Sequence, residues 1–430
     1  MADSERSTGW WSGLTTTHWV VLVAASAGWV FDVYEGQLFT VFKTPMLRDL
    51  GVDKAAIEWQ GNVGLAAFLL GGAVGGLFFG MLGDRLGRVR VLGFTILVYS
   101  IFSGLTALAQ TTLQVHVLRF LVALGAGGEW AVAAALVAET FPTQARATAS
   151  GVFHASSILG AMLASVSGAL LVDPSSWRWG FLLGLAPALI VLWIRLRLKE
   201  PERWTAARDE GDRAGSNLGS KHLGDPREFL RAGPLRTRAL IGLGLATVGL
   251  ASYWGIFAWA PELVRLVLGD HASEAERQSS GSLTYLVMNF TGGLLGLLAF
   301  APLASWRGRR FAFAFYHVGA AVTAPIAFLA AGSLHQALVL LSVMAFFVLG
   351  MHAGYAIYFP ELFPTRLRAS GSSACFNLGR VLGALILLVR GGLGERVGLR
   401  WAVVAMSGLF WIGLVLLYFA PETKDRDLPD

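Results

Sequence analysis

The chain has 430 residues, of which 55% are apolar and only 14% are charged, with a net charge of +6. Soluble domains carry roughly 25% charged residues, so this composition excludes a soluble enzyme and a nucleic-acid binder. The single cysteine, Cys375, excludes a scaffold held together by intrachain disulfides. Stretches without Asp, Glu, Lys or Arg, such as 91–118 and 311–360, exceed the about 20 apolar residues that a membrane helix needs. We therefore expect an all-α, multi-pass membrane protein.

Taken in chain order, the apolar runs predict twelve membrane spans. They cover residues 18–42, 58–81, 90–109, 112–136, 147–172, 178–198, 238–264, 280–303, 311–331, 335–359, 369–390 and 399–420. Six spans form a first half (18–198) and six a second half (238–420). The polar segments are an N-terminal tail (1–17), a charged linker (199–237) and a C-terminal tail (421–430). Lys and Arg are more numerous in the loops on the side of these segments, which predicts that both termini are cytoplasmic. A regulatory docking site is the alternative role of the linker.

Four short motifs occur once in each half, separated by a nearly constant 220–222 residues. The pairs are Glu139…Arg146 with Glu361…Arg368, Arg178-Trp179 with Arg400-Trp401, Gly87-Arg88 with Gly308-Arg309, and Pro201-Glu202 with Pro421-Glu422. Such a repeat indicates duplication. Because each half has an even number of spans, the halves should be parallel repeats around an axis normal to the membrane. A substrate site is expected near the midplane between them.

Two segments carry a family resemblance. The loop between the second and third spans reads GMLGDRLGRVR (residues 80–90), and span four contains Arg119-Phe-Leu followed by Gly127-Gly128-Glu129-Trp130. The loop resembles the signature loop of the major facilitator superfamily. The span-four run is similar to the sialate, lactate and related metabolite:proton symporters. The resemblance covers nearly the whole chain and implies a transporter with the major facilitator fold, without cofactor or metal. The sequence also lacks the nucleophile and metal motifs of an enzyme.

The resemblance further implies that charged groups at the cytoplasmic ends of the spans pair when that side is closed. These candidate gating residues are Asp84, Arg85, Arg88, Glu139 and Arg146 in the first half and Glu361, Arg366 and Arg368 in the second. Asp84 is expected near the N-terminus of span eleven, where the helix dipole favours negative charge. The second copy of the loop has Ser305 in place of Asp84, so an acidic latch should depend on the first half. The alternative is a solvated loop that only sets topology.

Ionisable residues inside membrane spans are costly and are therefore candidates for function. Asp32 and Glu35 lie three residues apart on span one, where mutual repulsion and burial favour the neutral form of at least one carboxyl. Such a group suits proton coupling. Arg119 and Glu129 on span four are candidates for the same network. The alternatives are that Arg119 neutralises one of the span-one acids as a structural pair, and that Glu129 pairs with a neighbouring helix.

Arg380, well inside span eleven, is the main candidate for holding a substrate, because a guanidinium binds a carboxylate with two parallel hydrogen bonds. Asn377 lies one turn earlier and could assist it. A structural pair of Arg380 with Glu35 or Glu129 is the alternative. His154 could bind an anion or relay a proton, or be a satisfied core histidine. The remaining candidates for the cavity wall are Tyr253, Asn289 and Tyr355, which could equally serve packing.

These observations predict a proton-coupled symporter that imports a small organic anion, a carboxylate, by alternating access. Its partners are the substrate, protons and the lipid bilayer, with no nucleic acid, and it is expected to act as a monomer in the inner or plasma membrane. Symport of a neutral or zwitterionic solute such as a sugar or betaine is one alternative. An efflux antiporter is another, although those usually carry a Gly-Pro pair in span five, and residues 147–172 contain no proline.

Overall fold

The computed structural model describes residues 9–171, 176–213, 223–229, 231, 233–269 and 271–429, and every regular element in these ranges is helical. Parts of the predicted N-terminal tail and linker, residues 1–8 and 214–222, lie outside the described residues. The α-helices are α1 (Thr16–Asp49), α2 (Ile57–Leu86), α3 (Arg88–Thr106), α4 (Thr112–Thr140), α5 (Thr143–Ala155), α6 (Ser157–Leu170), α7 (Trp177–Leu183), α8 (Pro187–Arg197), α9 (Glu202–Arg213), α10 (Pro234–Gly255), α11 (Ala260–Leu268), α12 (Glu274–Met288), α13 (Leu294–Arg307), α14 (Arg309–Ala330), α15 (Leu334–Gly350), α16 (His352–Leu362), α17 (Arg368–Val397), α18 (Leu399–Ser407) and α19 (Leu409–Phe419).

Within the described ranges, ten helical segments are long and apolar enough to cross a membrane. They match ten of the twelve predicted spans. The sixth predicted span falls on the shorter apolar segment Trp177–Val191. The eleventh falls on α17, whose 30 residues give a helix about 45 Å long. Every predicted span therefore coincides with helical chain, and the all-α membrane fold is confirmed.

Several spans are interrupted near their midpoints. Span five breaks between α5 and α6 at Ser156, and span ten breaks between α15 and α16 at Met351. A π-helical turn, Asn289–Gly293, separates α12 from α13, and a 3₁₀ turn, Phe257–Trp259, separates α10 from α11. Irregular backbone at membrane depth is tolerated where it is buried in protein or lines a cavity. These interruptions therefore indicate the level at which a site lies.

Two stripes of glycine let α2 approach a helix of each half. A Cβ at Gly71 or Gly75 would collide with the carbonyl groups of Phe120 and Leu124 on α4. Cβ atoms at the next stripe, Gly72, Gly76 and Gly80, would instead collide with side chains of α17. Small residues that permit close backbone approach are typical of membrane helix contacts, and this is the role that the glycines of span two have here.

The internal repeat is visible in the hydrogen bonds. Arg178 donates to the carbonyl oxygens of Ala107 and Ala109, and Arg400 donates to those of Leu329 and Ala331, each partner 222 residues further along. The two halves therefore share their internal contacts as well as their sequence motifs.

The same correspondence holds where α3 and α14 begin. Gly87 and Gly308 have φ angles of 110° and 101°, values that residues with a Cβ rarely adopt. A Cβ at either position would also collide with a carboxylate, that of Glu200 or Glu422. Each carboxylate accepts hydrogen bonds from the first backbone N–H groups of the adjoining helix, where the helix dipole favours negative charge.

Candidate functional site

A cavity of about 180 Å³ lies between the halves, at the level of the helix interruptions. Six aromatic side chains from both halves line it: Trp29, Phe68, Tyr253, Trp254, Tyr285 and Phe376. The other polar lining residues are Asp32, Gln37, Thr40, His154, Ser157, Asn289, His352 and Arg380. A largely apolar, concave wall with a few polar groups is typical of small-molecule sites.

Asp32 and Glu35 have different surroundings although they share one side of α1. Asp32 lines the cavity and forms no hydrogen bond within the described part of the chain. Glu35 is fully buried, and its Oε1 accepts a hydrogen bond of 2.7 Å from the Ser103 hydroxyl. Asp32 lies within electrostatic range of both Glu35 and Glu129. Of the acids on α1, Asp32 is thus the one that can meet a solute directly.

Arg119 and Glu129 on α4 are sealed in the first half. The Arg119 guanidinium lies 4.4 Å from the ring centre of Phe68 and 5.2 Å from that of Phe39. It donates one hydrogen bond, 3.2 Å long, to the main-chain carbonyl of Glu35, so the two side chains form no direct ion pair. Glu129 is buried against Gly28, where a Cβ would collide with its Oε1. Arg119 and Glu129 therefore approach α1 from α4, and among the described residues neither forms an ion pair or hydrogen bond with the side chain of Asp32 or Glu35.

Arg380 lies on the second-half wall of the cavity. Its guanidinium is stacked 5.2 Å from the ring centre of Phe376, one turn earlier on α17. Among the described residues it forms neither a hydrogen bond nor an ion pair, and its charged neighbour is Asp32. The structural pair with Glu35 or Glu129, considered from sequence, is not formed. A cation is thus available at the cavity wall.

His154 and His352 line the cavity from opposite halves, beside the breaks at Ser156 and Met351. The Nδ1 atom of His154 accepts a hydrogen bond of 3.1 Å from the Trp130 indole. The Nδ1 atom of His352 instead contacts the carbonyl oxygens of Val348 and Leu349, at 3.1 and 3.2 Å. Each imidazole is therefore held at one nitrogen by the protein.

Two of the predicted substrate contacts do not lie at the cavity. Asn377 donates to the carbonyl oxygens of Gly127 and Ser373 and to the Ser373 hydroxyl. It does not line the cavity. Tyr355 donates to the carbonyl oxygen of Leu245 at 3.0 Å and is fully buried. Both side chains are used by packing, so we leave Asn377 and Tyr355 out of the substrate site.

The other predicted polar contacts do line the cavity. The hydroxyl groups of Tyr253 and Tyr285 lie 3.2 Å apart, and the Asn289 amide donates to the Tyr285 carbonyl at 2.8 Å. Sequence reasoning missed Trp29, Phe376 and Gln37. Trp29 precedes Asp32 by three residues, and Phe376 precedes Arg380 by four, so helical spacing from the ionisable residues would have found both. We see no comparable signal for Gln37.

Charged residues close one end of the bundle, which we call the linker end because Trp204 of α9 donates there to the Asp84 carbonyl at 2.7 Å. The Asp84 carboxylate accepts from the backbone N–H groups of Ala369 and Ser370 at 3.0 and 2.9 Å, and from the Ser370 hydroxyl at 2.5 Å. It therefore caps the N-terminus of α17 across the two halves. Asp84 also forms an ion pair of 2.9 Å with Arg88.

Glu139 extends this closure across the halves. It accepts two hydrogen bonds from Arg88, at 3.2 and 2.9 Å, and one of 2.8 Å from Arg368 of the second half. Arg88 also donates to the Thr365 carbonyl at 2.7 Å. Arg88 and Arg368 are fully buried and Glu139 nearly so, so these groups do not belong to a solvated loop.

The equivalent second-half groups pair within their own half. Glu361 accepts two hydrogen bonds from Arg309, at 3.0 and 2.8 Å, and one of 2.6 Å from the Thr423 hydroxyl. Arg146, the first-half counterpart of Arg368, donates to the carbonyl oxygens of Ala138 in its own half and of Arg426 in the C-terminal segment. The ion pair between Glu139 and Arg368 therefore has no counterpart between Glu361 and Arg146 among the described residues.

Linker residues cross the same end of the bundle. Arg85 donates to the Leu223 carbonyl at 2.9 Å, and the N–H of Gly224 donates to the Arg366 carbonyl at 2.8 Å. Arg366 in turn pairs with Glu228 at 2.8 Å. Arg85 and Arg366 therefore bind the linker rather than one another.

Among the residues that the structure describes, no group of three or more His, Cys, Asp or Glu side chains is arranged to hold a metal ion. The arrangement is a solute cavity between two repeats, sealed at one end by ion pairs. It is that of a multi-pass membrane transporter rather than an enzyme.

The sequence matches the Major Facilitator Superfamily over residues 19–386, and the chain belongs to that superfamily. It is 31% identical over 412 residues to the probable 4-methylmuconolactone transporter of Cupriavidus pinatubonensis, covering 93% of this chain and 90% of that protein. It is 29% identical over 365 residues to the cis,cis-muconate transport protein of Acinetobacter baylyi, covering 84% and 85%. The fold is similar to that of the proton:xylose symporter XylE bound to 6-bromo-6-deoxy-D-glucose, with a TM-score of 0.78 over 96% of this chain and 98% of that one. The sequence identity to XylE is 17%, so this likeness shows the fold alone.

Proposed function

We propose that this transporter is a proton-coupled symporter that imports a small carboxylate by alternating access. The observation that carries the proposal is Arg380, a cation at the wall of the central cavity that forms no hydrogen bond with the described residues. A buried charge needs an anionic partner, because an isolated one costs several kcal/mol or more. A carboxylate entering the cavity would provide that partner. Muconate, which one relative is named for, is a carboxylate.

Asp32 supplies the coupling to protons. It faces the same cavity and is the charged neighbour of Arg380. When Asp32 is ionised it offsets the charge of Arg380, and a substrate carboxylate would then bring a second anion to one cation. Protonation of Asp32 removes this repulsion and leaves Arg380 to the substrate. Carboxylate and proton therefore favour one another's binding, which is the thermodynamic condition for symport. Glu35, Arg119 and Glu129 belong to the same proton-coupling network in this proposal, in which their charges act electrostatically on Asp32.

The linker-end contacts support the alternating-access part of the proposal. Asp84, Glu139 and their partners hold that end shut, so the substrate reaches the cavity from the opposite end in this state. Opening the linker end requires the Asp84–Ser370 and Glu139–Arg368 contacts to break. With both termini cytoplasmic, as the loop charges favour, this transition delivers the solute inward. Arg85, Arg88, Arg146 and Arg368 take part as gating residues in the same proposal, whereas Glu361, a gating candidate from sequence, pairs within the second half and is not assigned to the gate.

Binding and transport test the proposal separately. Purified protein would be screened by thermal shift against cis,cis-muconate, benzoate, sialic acid, xylose and glycine betaine, and the best ligand used for counterflow in proteoliposomes. Arg380→Ala should abolish carboxylate binding, and Arg380→Lys should weaken it strongly because the planar fork is lost. Arg400→Ala, an arginine that only binds carbonyl groups at a helix end, is the matched control. Near-normal carboxylate affinity in folded Arg380→Ala protein would overturn the assignment.

A zwitterionic solute is the second candidate. Asp32 and Arg380 face one cavity, and this pair of opposite charges matches a solute that carries both. Stabilisation by glycine betaine, but by none of the carboxylates that lack a cationic group, would favour this candidate over the first.

A further inference from the structure

We propose that Trp130 is a positioning residue for substrate recognition: its indole N–H holds His154 in the Nε2–H tautomer, so that His154 donates a hydrogen bond to a second acceptor atom of the carboxylate substrate. This inference rests on the proposed function. The hydrogen bond from His154, on the first half, would add to the contact that Arg380 makes with the substrate from the second half. Trp130 itself does not line the cavity, so it acts through His154.

The tautomer follows from the chemistry of the donor. An indole nitrogen can only donate a hydrogen bond. Trp130 Nε1 lies 3.1 Å from Nδ1 of His154, so that ring nitrogen must accept and carries no proton. In a neutral imidazole the proton then resides on Nε2. Nε2 has no partner within the described part of the chain, and His154 lines the cavity. The free N–H is therefore available to a solute.

Neighbouring rings fix the direction in which His154 points. The Trp130 ring meets the imidazole edge-on, with centroids 6.1 Å apart. Trp29 lies on another side at 5.5 Å, and its indole donates to the backbone carbonyl of His154 at 3.2 Å. One tryptophan thus binds the ring and the other binds the main chain. Only the bond from Trp130 selects the tautomer.

The two histidines of the cavity wall have opposite tautomers. The Nδ1 atom of His352 lies against the carbonyl oxygens of Val348 and Leu349, which accept, so Nδ1 is protonated and Nε2 is bare. This Nε2 atom is buried and has no partner among the described residues, so it is not offered to a solute. Of the two imidazoles, that of His154 is therefore the one that can donate an N–H to an acceptor atom of an anionic substrate.

Trp130 also connects His154 with Arg380 through the ring of Phe376. Its ring stacks on Phe376 of the second half with centroids 4.1 Å apart and an interplanar angle of 22°. Phe376 also contacts the Arg380 guanidinium, which lies 5.2 Å from its ring centre. A substrate held by Arg380 and by His154 would bridge the two halves at the level where this aromatic stack joins them. Two acceptor groups, rather than one, are thus expected in a well-recognised substrate.

The experiment separates the indole N–H from the indole ring. Trp130→Phe keeps an aromatic ring against Phe376 but removes the donor. Trp177→Phe removes a buried indole donor that binds Asp49 away from the cavity, and is the matched control for affinity. Trp29→Phe, which removes the donor to the His154 backbone, is the control for the tautomer. Affinities would be measured by calorimetry on the purified full chain for trans,trans-muconate, which has two carboxylates, and for sorbate, in which a methyl group replaces one of them.

Trp130→Phe should reduce the preference for muconate over sorbate by about tenfold, the lower end of what a hydrogen bond to a charged group contributes. Trp177→Phe should leave the preference within about twofold of the parent, a change too small to correspond to a lost hydrogen bond. Trp130→Phe combined with His154→Gln should lose no more than His154→Gln alone, because both act through one contact. Additive losses, or an unchanged preference in Trp130→Phe, would overturn the proposal.

Nitrogen-15 NMR of histidine-labelled protein gives a ligand-independent test, with the His154 signals identified by their absence in His154→Gln. The parent and Trp29→Phe should show a protonated Nε2 and a bare Nδ1, and Trp130→Phe should show a mixture. A protonated Nδ1 in the parent overturns the proposal even if Trp130→Phe does not fold. A parent that binds no carboxylate refutes the proposed function and the second substrate contact, while the tautomer is still decided by the NMR.

Discussion

Replacing Glu139 by Gln should open the linker end without comparably affecting the fold of either half. The Glu139 carboxylate accepts from Arg88 of its own half and from Arg368 of the other, and all three side chains are buried. Glutamine has nearly the same size, but its NH₂ group cannot accept from a guanidinium. The Oε1 atom of Glu139 accepts from both arginines and Oε2 accepts from Arg88 alone, so a glutamine that places its oxygen at the first position loses one Arg88 bond, and both arginines lose their shared anion.

Only part of this loss affects the conformational equilibrium. The bonds between Glu139 and Arg88 lie within one half and should persist when the halves rock apart, so their loss cancels between the two states. The 2.8 Å bond to Arg368 exists only when the linker end is closed. The glutamine oxygen can still accept from Arg368, but only as a neutral acceptor, which lowers the contribution of that bond by about 1–1.5 kcal/mol and corresponds to a shift of about 5- to 10-fold towards the open form.

The internal repeat supplies the control. Glu361→Gln disrupts the equivalent pair with Arg309 and the bond from Thr423, but no arginine of the other half hydrogen-bonds to Glu361. Both variants should lose thermal stability, and Glu139→Gln alone should change the conformational population.

Electron paramagnetic resonance distances would be measured between labels at Arg90→Cys and Arg307→Cys, two exposed positions in different halves near the linker end. Cys375, the native cysteine, is buried and would be replaced by Ser. A longer distance population in Glu139→Gln but not in Glu361→Gln is expected. Equal distributions in the two variants would refute the reasoning.

Asp32→Asn should keep substrate counterflow but lose accumulation driven by a proton gradient in proteoliposomes, because the amide cannot take up a proton; unaltered accumulation would remove Asp32 from the mechanism. Gly75→Ala should lower the melting temperature markedly, since its Cβ would collide with the Leu124 carbonyl, whereas Gly61→Ala meets only the Lys43 side chain at 3.5 Å and should be tolerated. Burial raises the pKa of Glu422, but four backbone N–H donors outweigh it and the net pKa lies below the usual 4.5. The parent should therefore be more stable than Glu422→Gln above about pH 4.5, with the difference vanishing as the pH falls through the lowered pKa of the folded protein; a difference that persists at pH 2 in thermal melts would contradict this.

The fold could be predicted from the sequence because hydrophobic length and loop charge are local properties. The apolar runs predicted ten spans that match helices long enough to cross a membrane and two that fall on other helices, and the repeated motifs predicted contacts that both halves share. The breaks at Ser156 and Met351 could not be predicted, since neither position carries a proline or a clear turn signal. They depend on how neighbouring helices accommodate the backbone at the cavity.

The site was only partly predictable, because a sequence shows which residues share a helix face but not which face meets the cavity. Asp32 and Glu35 are three residues apart, yet only Asp32 lines the cavity, while Ser103 binds Glu35. Arg380 and Asn377 have the same spacing, and Asn377 is held by the Gly127 carbonyl of the other half. In both cases a partner distant in sequence decides the direction of the side chain.

Comparison of the two halves separates scaffold from mechanism. The contacts that are repeated, such as Arg178 and Arg400 on paired carbonyl groups, lie within each half and keep it rigid. The contacts that are not repeated cross between the halves. Asp84 caps α17, whereas its counterpart Ser305 is exposed.

The second asymmetry lies in the arginine pairs. Arg368 binds Glu139 across the halves. Its counterpart Arg146 forms no ion pair with Glu361 among the described residues, because the C-terminal segment occupies both partners: Thr423 binds Glu361, and the carbonyl oxygen of Arg426 accepts from Arg146. A rocking transporter needs two similar rigid bodies, but it must hold them together more firmly in one state than in the other. Duplication supplies the first requirement, and the loss of symmetry at Asp84, Glu139 and the C-terminal segment supplies the second.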